Sequence, residues 1–209
     1  MTEPTVVVLD YGSGNLRSVT RALAAVGAKV ILTSDTAAAR QAAGLVVPGV
    51  GAFATCLTGL RAAGAPEVIA RRVAHGQPVL GICVGHQALF ASGTEHGLTT
   101  AGLGLLPGTI DLLPTTRRPH MGWNALQADA EVAFWSATPN VGQRYYFVHS
   151  YAALDAADLP AGARVALTEH DGVTMIAGVE WGPLLSTQFH PEKSGRAGLA
   201  LLAHWVATL

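Results

Sequence analysis

The stretch Pro78-Val79-Leu80-Gly81-Ile82-Cys83-Val84-Gly85-His86-Gln87 decides how this chain folds. Pro78 to Ile82 is a short, continuously apolar run, the pattern of a strand buried on both faces. It ends on Cys83, with Gly81 and Gly85 on either side, and the residues after Cys83 have helical character. Such a strand-to-helix elbow holds its side chain in a sparsely allowed backbone conformation, and small neighbours leave room for a substrate. A helix N-terminus favours the thiolate, the reactive form of cysteine. The backbone N–H of Val84 would face the same space, where an oxyanion can accept it. A buried structural cysteine at a tight turn is the competing interpretation for any single Cys. The paired glycines favour a nucleophile.

Upstream of the elbow the same alternation repeats. Val6 to Leu9 reads as a buried parallel strand and Asp10 to Gly14 as a turn. Leu16, Val19, Leu23 and Val26 recur at helical spacing, closed by Gly27. Val30 to Thr33 is a second strand, and Leu45 to Val47 a third that ends in Pro48-Gly49-Val50-Gly51. A helical stretch runs from there to about Arg72. This β-α-β-β-α-β order predicts an α/β fold with a mostly parallel central sheet flanked by helices. From Gly104 to Gln188 the character changes to short strands between Gly, Pro, Asn and Asp turns: Leu105–Leu113, Tyr145–Tyr151, Arg164–Thr168, Thr174–Glu180 and Leu184–Phe189. That half reads as mixed or antiparallel. A last helix follows Ser194 as N-cap, with Leu199, Leu202 and Val206 as its buried stripe. No repeat, low-complexity tract or long linker interrupts the chain, so one domain is expected over residues 1–209.

Bulk properties narrow the function. Half of the 209 residues are hydrophobic, 13% are charged and the formal net charge is −1, which excludes a disordered chain and gives nothing to attract a phosphate backbone. Two cysteines are too few for a secreted disulfide scaffold. Met1-Thr2-Glu3-Pro4 lacks a basic leader region, and no apolar stretch has the length of a membrane span. The expectation is a cytoplasmic protein with reduced thiols that binds neither nucleic acid nor membrane.

Phe189-His190-Pro191-Glu192-Lys193-Ser194 supplies the second half of a site. His190 falls at a strand end, where catalytic side chains of parallel sheets gather. Glu192 lies two residues on, so in extended backbone both side chains lean to one side, with Pro191 fixing φ between them. A carboxylate there can hold one imidazole nitrogen and leave the other to take the proton of Cys83. A surface turn with a helix-capping Glu is the alternative for this segment alone; Cys83 in its elbow tips the balance. Other chemistries fit less well. Asp10-Tyr11-Gly12-Ser13-Gly14-Asn15-Leu16-Arg17, with Asp35 ending the next strand, begins like a dinucleotide fingerprint, but Arg17 replaces the third glycine. Cys83-x-x-His86 is half a zinc pattern without a second pair, so no metal site is expected, and there is no P-loop. Cys56 has no setting that would make it reactive.

Together, the elbow through Gln87, the Pro48-Gly49-Val50-Gly51 loop and His190-Pro191-Glu192 resemble the class I glutamine amidotransferases. Pro48 to Phe53, Pro119-His120-Met121-Gly122-Trp123-Asn124, Tyr146-Phe147-Val148-His149-Ser150-Tyr151 and Gln188 to Ser194 resemble, within that family, the glutaminase subunits that serve a cyclase of histidine biosynthesis. The motifs span nearly the whole chain, in order. The resemblance implies hydrolysis of L-glutamine to glutamate and ammonia through a thioester on Cys83, with no cofactor, and delivery of the ammonia to a separate barrel-shaped cyclase in a heterodimer. It implies a second, smaller mixed or antiparallel sheet. It assigns Cys83, His190 and Glu192 to the triad, and Val50, Gly51 and Val84 to the oxyanion hole. Gln87, Glu95, His149, Ser150 and Tyr151 fall at substrate positions, and Asn15, Tyr146 and Lys193 at positions facing the cyclase. Val84 and His86 stand where the family often carries Leu and Met; His86 is given no catalytic role. An exposed apolar patch should exist where the cyclase docks. The alternatives are a glutaminase subunit of another pathway, a partner-independent cysteine γ-glutamyl hydrolase, and a silent binding module using the turn at Gly12.

Overall fold

A computed structural model describes residues 3–128 and 143–209 of the chain. The first half alternates as β1 Thr5–Leu9, α1 Leu16–Ala25, β2 Lys29–Thr33, α2 Thr36–Gln41, β3 Gly44–Gly49, α3 Phe53–Ala62, α4 Ala65–Ala74, β4 Val79–Cys83 and α5 Val84–Ala88. The second half adds β5 Phe90–Glu95, β6 Leu98–Ala101, β7 Leu106–Leu112, β8 His120–Ala125, β9 Gln127–Ala128, β10 Arg144–His149, β11 Tyr151–Ala153, β12 Arg164–His170, β13 Val173–Trp181, β14 Leu184–Thr187, a single 3-10 turn Pro191–Lys193, and α6 Gly195–Ala207.

These strands form an eight-stranded sheet in the order β2-β1-β3-β4-β14-β13-β12-β9, a four-stranded sheet β11-β7-β5-β6, and the ribbon β8–β10. The five strands from β2 to β14 run parallel, and the remaining three continue antiparallel. Every residue of β3 and β4 is buried, as expected for central parallel strands covered on both faces. At about 1.5–3 kcal/mol for each fully buried aliphatic side chain, Leu45, Val46, Val47, Val79, Leu80 and Ile82 hold these two strands firmly in the core. The smaller sheet is mixed, with β5 and β7 parallel and its other pairs antiparallel.

Several sequence-based expectations need correction. A short helix, α2, stands between β2 and β3, and Asp35 accepts the N–H of Ala37 as its N-cap rather than ending a strand. Its last carbonyls would be orphans; the buried guanidinium of Arg72 takes those of Ala39 and Ala42, each at 2.9 Å. The single helical stretch to Arg72 is two helices, broken at Gly64 with φ +66°. β5, β6, β8 and β9 lie where the sequence pattern predicts no strand. The run Tyr145–Tyr151 is two strands in two sheets, divided at Ser150. Leu199 is 37% exposed, and the buried stripe of α6 is Gly198, Leu201, Leu202, Trp205 and Val206. Ser194 makes no side-chain cap. Its hydroxyl donates to the carbonyl of His190 at 2.6 Å and accepts the N–H of Tyr146 at 2.9 Å. No helix among the described residues is long and apolar enough to cross a membrane.

Candidate active site

The ends of β3, β4 and β14 and the break between β10 and β11 converge on one cavity of about 220 Å³. Cys83, Val84, Gln87, His190, Val50, Gly51, Glu95, His149, Ser150, Tyr151 and Lys193 all line it. Of the residues singled out from the sequence, Glu192 stands behind His190, while Asn15 and Tyr146 lie outside the cavity lining.

Cys83 sits at φ +55°, a conformation costly for a residue with a side chain and one that turns its sulfur out of the strand. Gly85, which flanks it, and Gly49 on the neighbouring strand have a different cause from substrate access. A Cβ on Gly85 would lie 1.9 Å from the carbonyl oxygen of Val47, and one on Gly49 would lie 2.4 Å from the nitrogen of Gly85. Close backbone packing between α5 and the end of β3 therefore requires them. The helix after the elbow is five residues long.

The His190 ring is 2% exposed and its Nδ1 lies 2.8 Å from Oε1 of Glu192. A carboxylate oxygen accepts, so Nδ1 carries the proton and Nε2 is left for Cys83. Burial pulls the imidazole down, but hydrogen bonds to Cys83 and Glu192 outweigh it and raise it to about 9. The His–Glu pair forms across the 3-10 turn Pro191–Lys193 rather than along extended backbone. His190 is further fixed by its own N–H to the Tyr146 carbonyl at 2.9 Å.

Gln188, which is not among the residues singled out from the sequence, is fully buried between two that are. Its Nε2 lies 3.9 Å from the Cys83 sulfur, and its Oε1 accepts from Gln87 Nε2 at 2.9 Å. Gln87 Nε2 also donates to the Tyr151 carbonyl at 2.8 Å. Both amide hydrogens of Gln87 are thus engaged within the protein, and a contact from it to a substrate runs through its carbonyl oxygen. The sequence signal for Gln188 is its place at the head of the Gln188 to Ser194 motif, immediately before Phe189-His190. Glu95 lines the cavity and also accepts the N–H of Phe53 at 3.0 Å, at the start of α3.

The Pro48–Gly51 loop is held from below and from the side. The Tyr11 hydroxyl donates to the Pro48 carbonyl and lies 3.1 Å from the Cys56 sulfur. Burial pushes the Cys56 thiol up to about 11 although the Tyr11 bond opposes it, so Cys56 is a packed, unreactive group. The Ser13 hydroxyl donates to the Val50 carbonyl at 2.8 Å and takes the Val50 N–H at 3.4 Å. The Val50 amide therefore faces Ser13 in this structure, which leaves Val84 and Gly51 as the oxyanion-hole candidates without that engagement. The turn at Gly12 that resembled a dinucleotide fingerprint is a support for this loop. His86 is fully buried, its Nδ1 2.8 Å from the Ser186 hydroxyl, and plays no part in the cavity. Among the described residues no group of three ligating side chains could hold a metal ion.

Next to the cavity, Met121 is 65% and Trp123 49% exposed on the outer face of the β8–β10 ribbon. Trp123 packs edge-on against Tyr146 at 6.1 Å, and the Lys193 ammonium lies 5.9 Å from the Tyr146 ring. This is an exposed apolar patch of the kind anticipated.

A thiol in an elbow and an imidazole oriented by a carboxylate, opening together on one small cavity, define a cysteine hydrolase of amides. The family model described as "Glutamine amidotransferase class-I" matches residues 7–208, and the chain belongs to that family. The protein named "Imidazole glycerol phosphate synthase subunit HisH" from Leifsonia xyli subsp. xyli (strain CTCB07) is 53% identical over the full length of both chains. The protein of the same name from Mycobacterium bovis (strain ATCC BAA-935 / AF2122/97) is 53% identical, covering 99% of this chain and 98% of its own. Among solved structures, one titled "Crystal structure of glutamine amidotransferase" superposes with a TM-score of 0.74 at 20% identity, over 98% of this chain and 99% of its own. PurLQS from Thermotoga maritima gives 0.74 at 21% identity, over 100% and 99%. At those identities the structures support the fold alone.

Proposed function

We propose that this chain is the glutaminase subunit of an imidazole glycerol phosphate synthase: it hydrolyses L-glutamine to glutamate and ammonia and hands the ammonia to a cyclase in histidine biosynthesis. The observation that carries the chemistry is His190, held by Glu192 through Nδ1 with its other nitrogen turned to Cys83. The naming of relatives 53% identical over the whole chain supports the pathway.

In the proposed reaction, the Cys83 sulfur, as thiolate, attacks the side-chain amide carbon of glutamine and an oxyanion forms. The Val84 N–H, at the start of α5, faces that oxygen, with the Val50–Gly51 loop on the other side. The imidazolium of His190 gives its proton to the departing nitrogen, and ammonia leaves. Water, deprotonated by the now neutral His190, attacks the thioester and releases glutamate, restoring Cys83. Gln87 through its oxygen, Glu95 and the His149–Tyr151 strand break hold the amino-acid end of the substrate. No cofactor takes part. The partner is a cyclase subunit of barrel fold, bound as a heterodimer over the face that carries Met121, Trp123, Tyr146 and Lys193, with Asn15 at its margin.

The test is glutamate release from glutamine by wild type and Cys83→Ala, each with and without the cyclase. Cys83→Ala lowers turnover on the order of 10³-fold or more. Full activity in Cys83→Ala would sink the proposed chemistry. Activity that the cyclase leaves unchanged would favour a partner-independent γ-glutamyl hydrolase.

A further inference from the structure

The β8–β10 ribbon has two faces, because side chains alternate along a strand. Met121 and Trp123 point outward; His120, Gly122 and Asn124 point inward, with the pairing His149↔His120 placing two imidazoles opposite each other under the cavity. His120 Nδ1 lies 3.1 Å from His149 Nε2. The second nitrogen of His149 lies 3.0 Å from the carbonyl oxygen of Tyr151, and the second nitrogen of His120 lies 3.3 Å from the side-chain amide nitrogen of Asn124. His120 and Asn124 are not among the residues that line the cavity, and none of these groups takes part in the bond-making and bond-breaking steps.

We propose that Asn124 and His120 are positioning residues for the cavity: a one-way chain of hydrogen bonds runs from Asn124 through His120 and His149 to the Tyr151 carbonyl and fixes the strand break that receives glutamine. The proposal rests on the assignment of that cavity to glutamine.

Backbone groups set the direction of the chain at both ends, independently. At one end a carbonyl can only accept, so His149 Nδ1 carries hydrogen and its Nε2 is a lone pair. His120 Nδ1 must then donate to it, which leaves His120 Nε2 a lone pair too. At the other end the Asn124 amide is oriented by two main-chain contacts: Oδ1 accepts the Ala125 N–H at 2.9 Å and Nδ2 donates to the Glu169 carbonyl at 2.6 Å. The second hydrogen on Nδ2 therefore meets His120 Nε2, the lone pair that the first end demands. Every donor points from Asn124 toward Tyr151, and every acceptor is matched.

A proton added to either ring would set an N–H against a donor. Burial first, and then neighbouring imidazoles, lower His149 to about 3; burial and His170 lower His120 to about 4. Both rings stay neutral, as the chain needs. His120 cannot swing out, because it is stacked between Phe147 at 4.7 Å and His170 at 4.3 Å. The Tyr151 carbonyl where the chain ends also takes Gln87 Nε2, which continues through Gln188 to the Cys83 sulfur. The same carbonyl is thus held from the ribbon side and from the nucleophile side.

The experiment has a spectroscopic and a kinetic arm. In ¹⁵N-histidine-labelled wild type at neutral pH, long-range ¹H–¹⁵N spectra show His120 and His149 both as the Nδ1–H tautomer, the minor form of free imidazole; the Nε2–H form for either ring overturns the proposal. In the complex with the cyclase, His120→Phe keeps the ring stack and removes both bonds, and KM for glutamine rises about tenfold, the scale of one buried hydrogen bond. Its kcat stays within about twofold, because the chain does not touch the reacting atoms. His120→Asn keeps a donor at the Nδ1 position and recovers most of the lost KM. Asn124→Ala, at the more exposed end, raises KM in the same direction and stands in if His120→Phe does not fold. Unchanged KM in His120→Phe or Asn124→Ala, or equal losses in His120→Phe and His120→Asn, overturns the proposal. A wild type that hydrolyses no glutamine removes the assignment of the cavity itself, and is distinguished from a wild type that does so with variants of unchanged KM.

Discussion

The Cβ that an alanine would place on Gly85 falls 1.9 Å from the carbonyl oxygen of Val47. The start of α5 rests directly on the last buried residues of β3, and this contact, with Cys83 at φ +55°, aims the sulfur into the cavity. Nothing flexible lies in the way to yield. Gly85→Ala must push α5 off β3, at about 1–3 kcal/mol for an overpacked core site. The expected result is a lower urea midpoint with a larger proportional loss of glutamine turnover, because the displaced residue lies within one helical turn of the nucleophile. A variant with wild-type turnover would show that the elbow tolerates a shifted helix.

In the parallel half β1, β3 and β4 were legible because they are buried almost throughout and carry an uninterrupted apolar signal. Where the periods are short, the sequence was ambiguous. β5 begins at Phe90, two residues after a five-residue helix, so no window separates one period from the other. Cys83, His190 and Glu192 were readable as local motifs, although the 3-10 turn that joins the last two was not. Gln188 and the His120–His149 pair were illegible for a different reason. Their roles depend on which strand lies beside which, and only the antiparallel register of β8 with β10 brings residues 120 and 149 together.

The pairing of His190 with Glu192 has a definite pH signature. The folded-state imidazole is raised to about 9, above the ordinary value near 6.5 of an unfolded chain. The folded protein therefore holds the proton more tightly, and the associated stability is complete below about pH 6.5 and lost as pH rises to about 9. Glu192→Gln removes one of the two groups that raise the imidazole. Its His190 should titrate lower by NMR, and its urea midpoint should fall less than that of wild type between these pH values. Equal losses in both proteins would mean that the carboxylate does not hold the charge.

The two thiols should behave in opposite ways toward an alkylating reagent. Cys83 opens on the cavity, whereas Cys56 is fully buried against Tyr11 and its thiol is pushed up to about 11, mainly by burial. Iodoacetamide at about pH 7.5 should add one equivalent, at Cys83, and glutamine should slow the addition. Peptide mass mapping checks the site. Modification of Cys56 in the native protein would contradict its assignment as a packing group.

His86 gives the chain an acid-sensitive core. Burial lowers its imidazole to about 3, and its Nε2 has no hydrogen-bond partner among the described residues. An unfolded histidine takes up a proton near pH 6.5, while the folded one resists until near pH 3. Between those values the unfolded state binds more protons, so stability is complete above pH 6.5 and falls as pH drops. His86→Met keeps the volume and cannot titrate. Its Ser186 contact is lost, which lowers stability at every pH, but the slope changes. From pH 7 to about pH 5 wild type should lose on the order of 2 kcal/mol more than His86→Met. Parallel curves for the two proteins, measured by urea unfolding at matched ionic strength, would show that the buried ring finds a way to protonate.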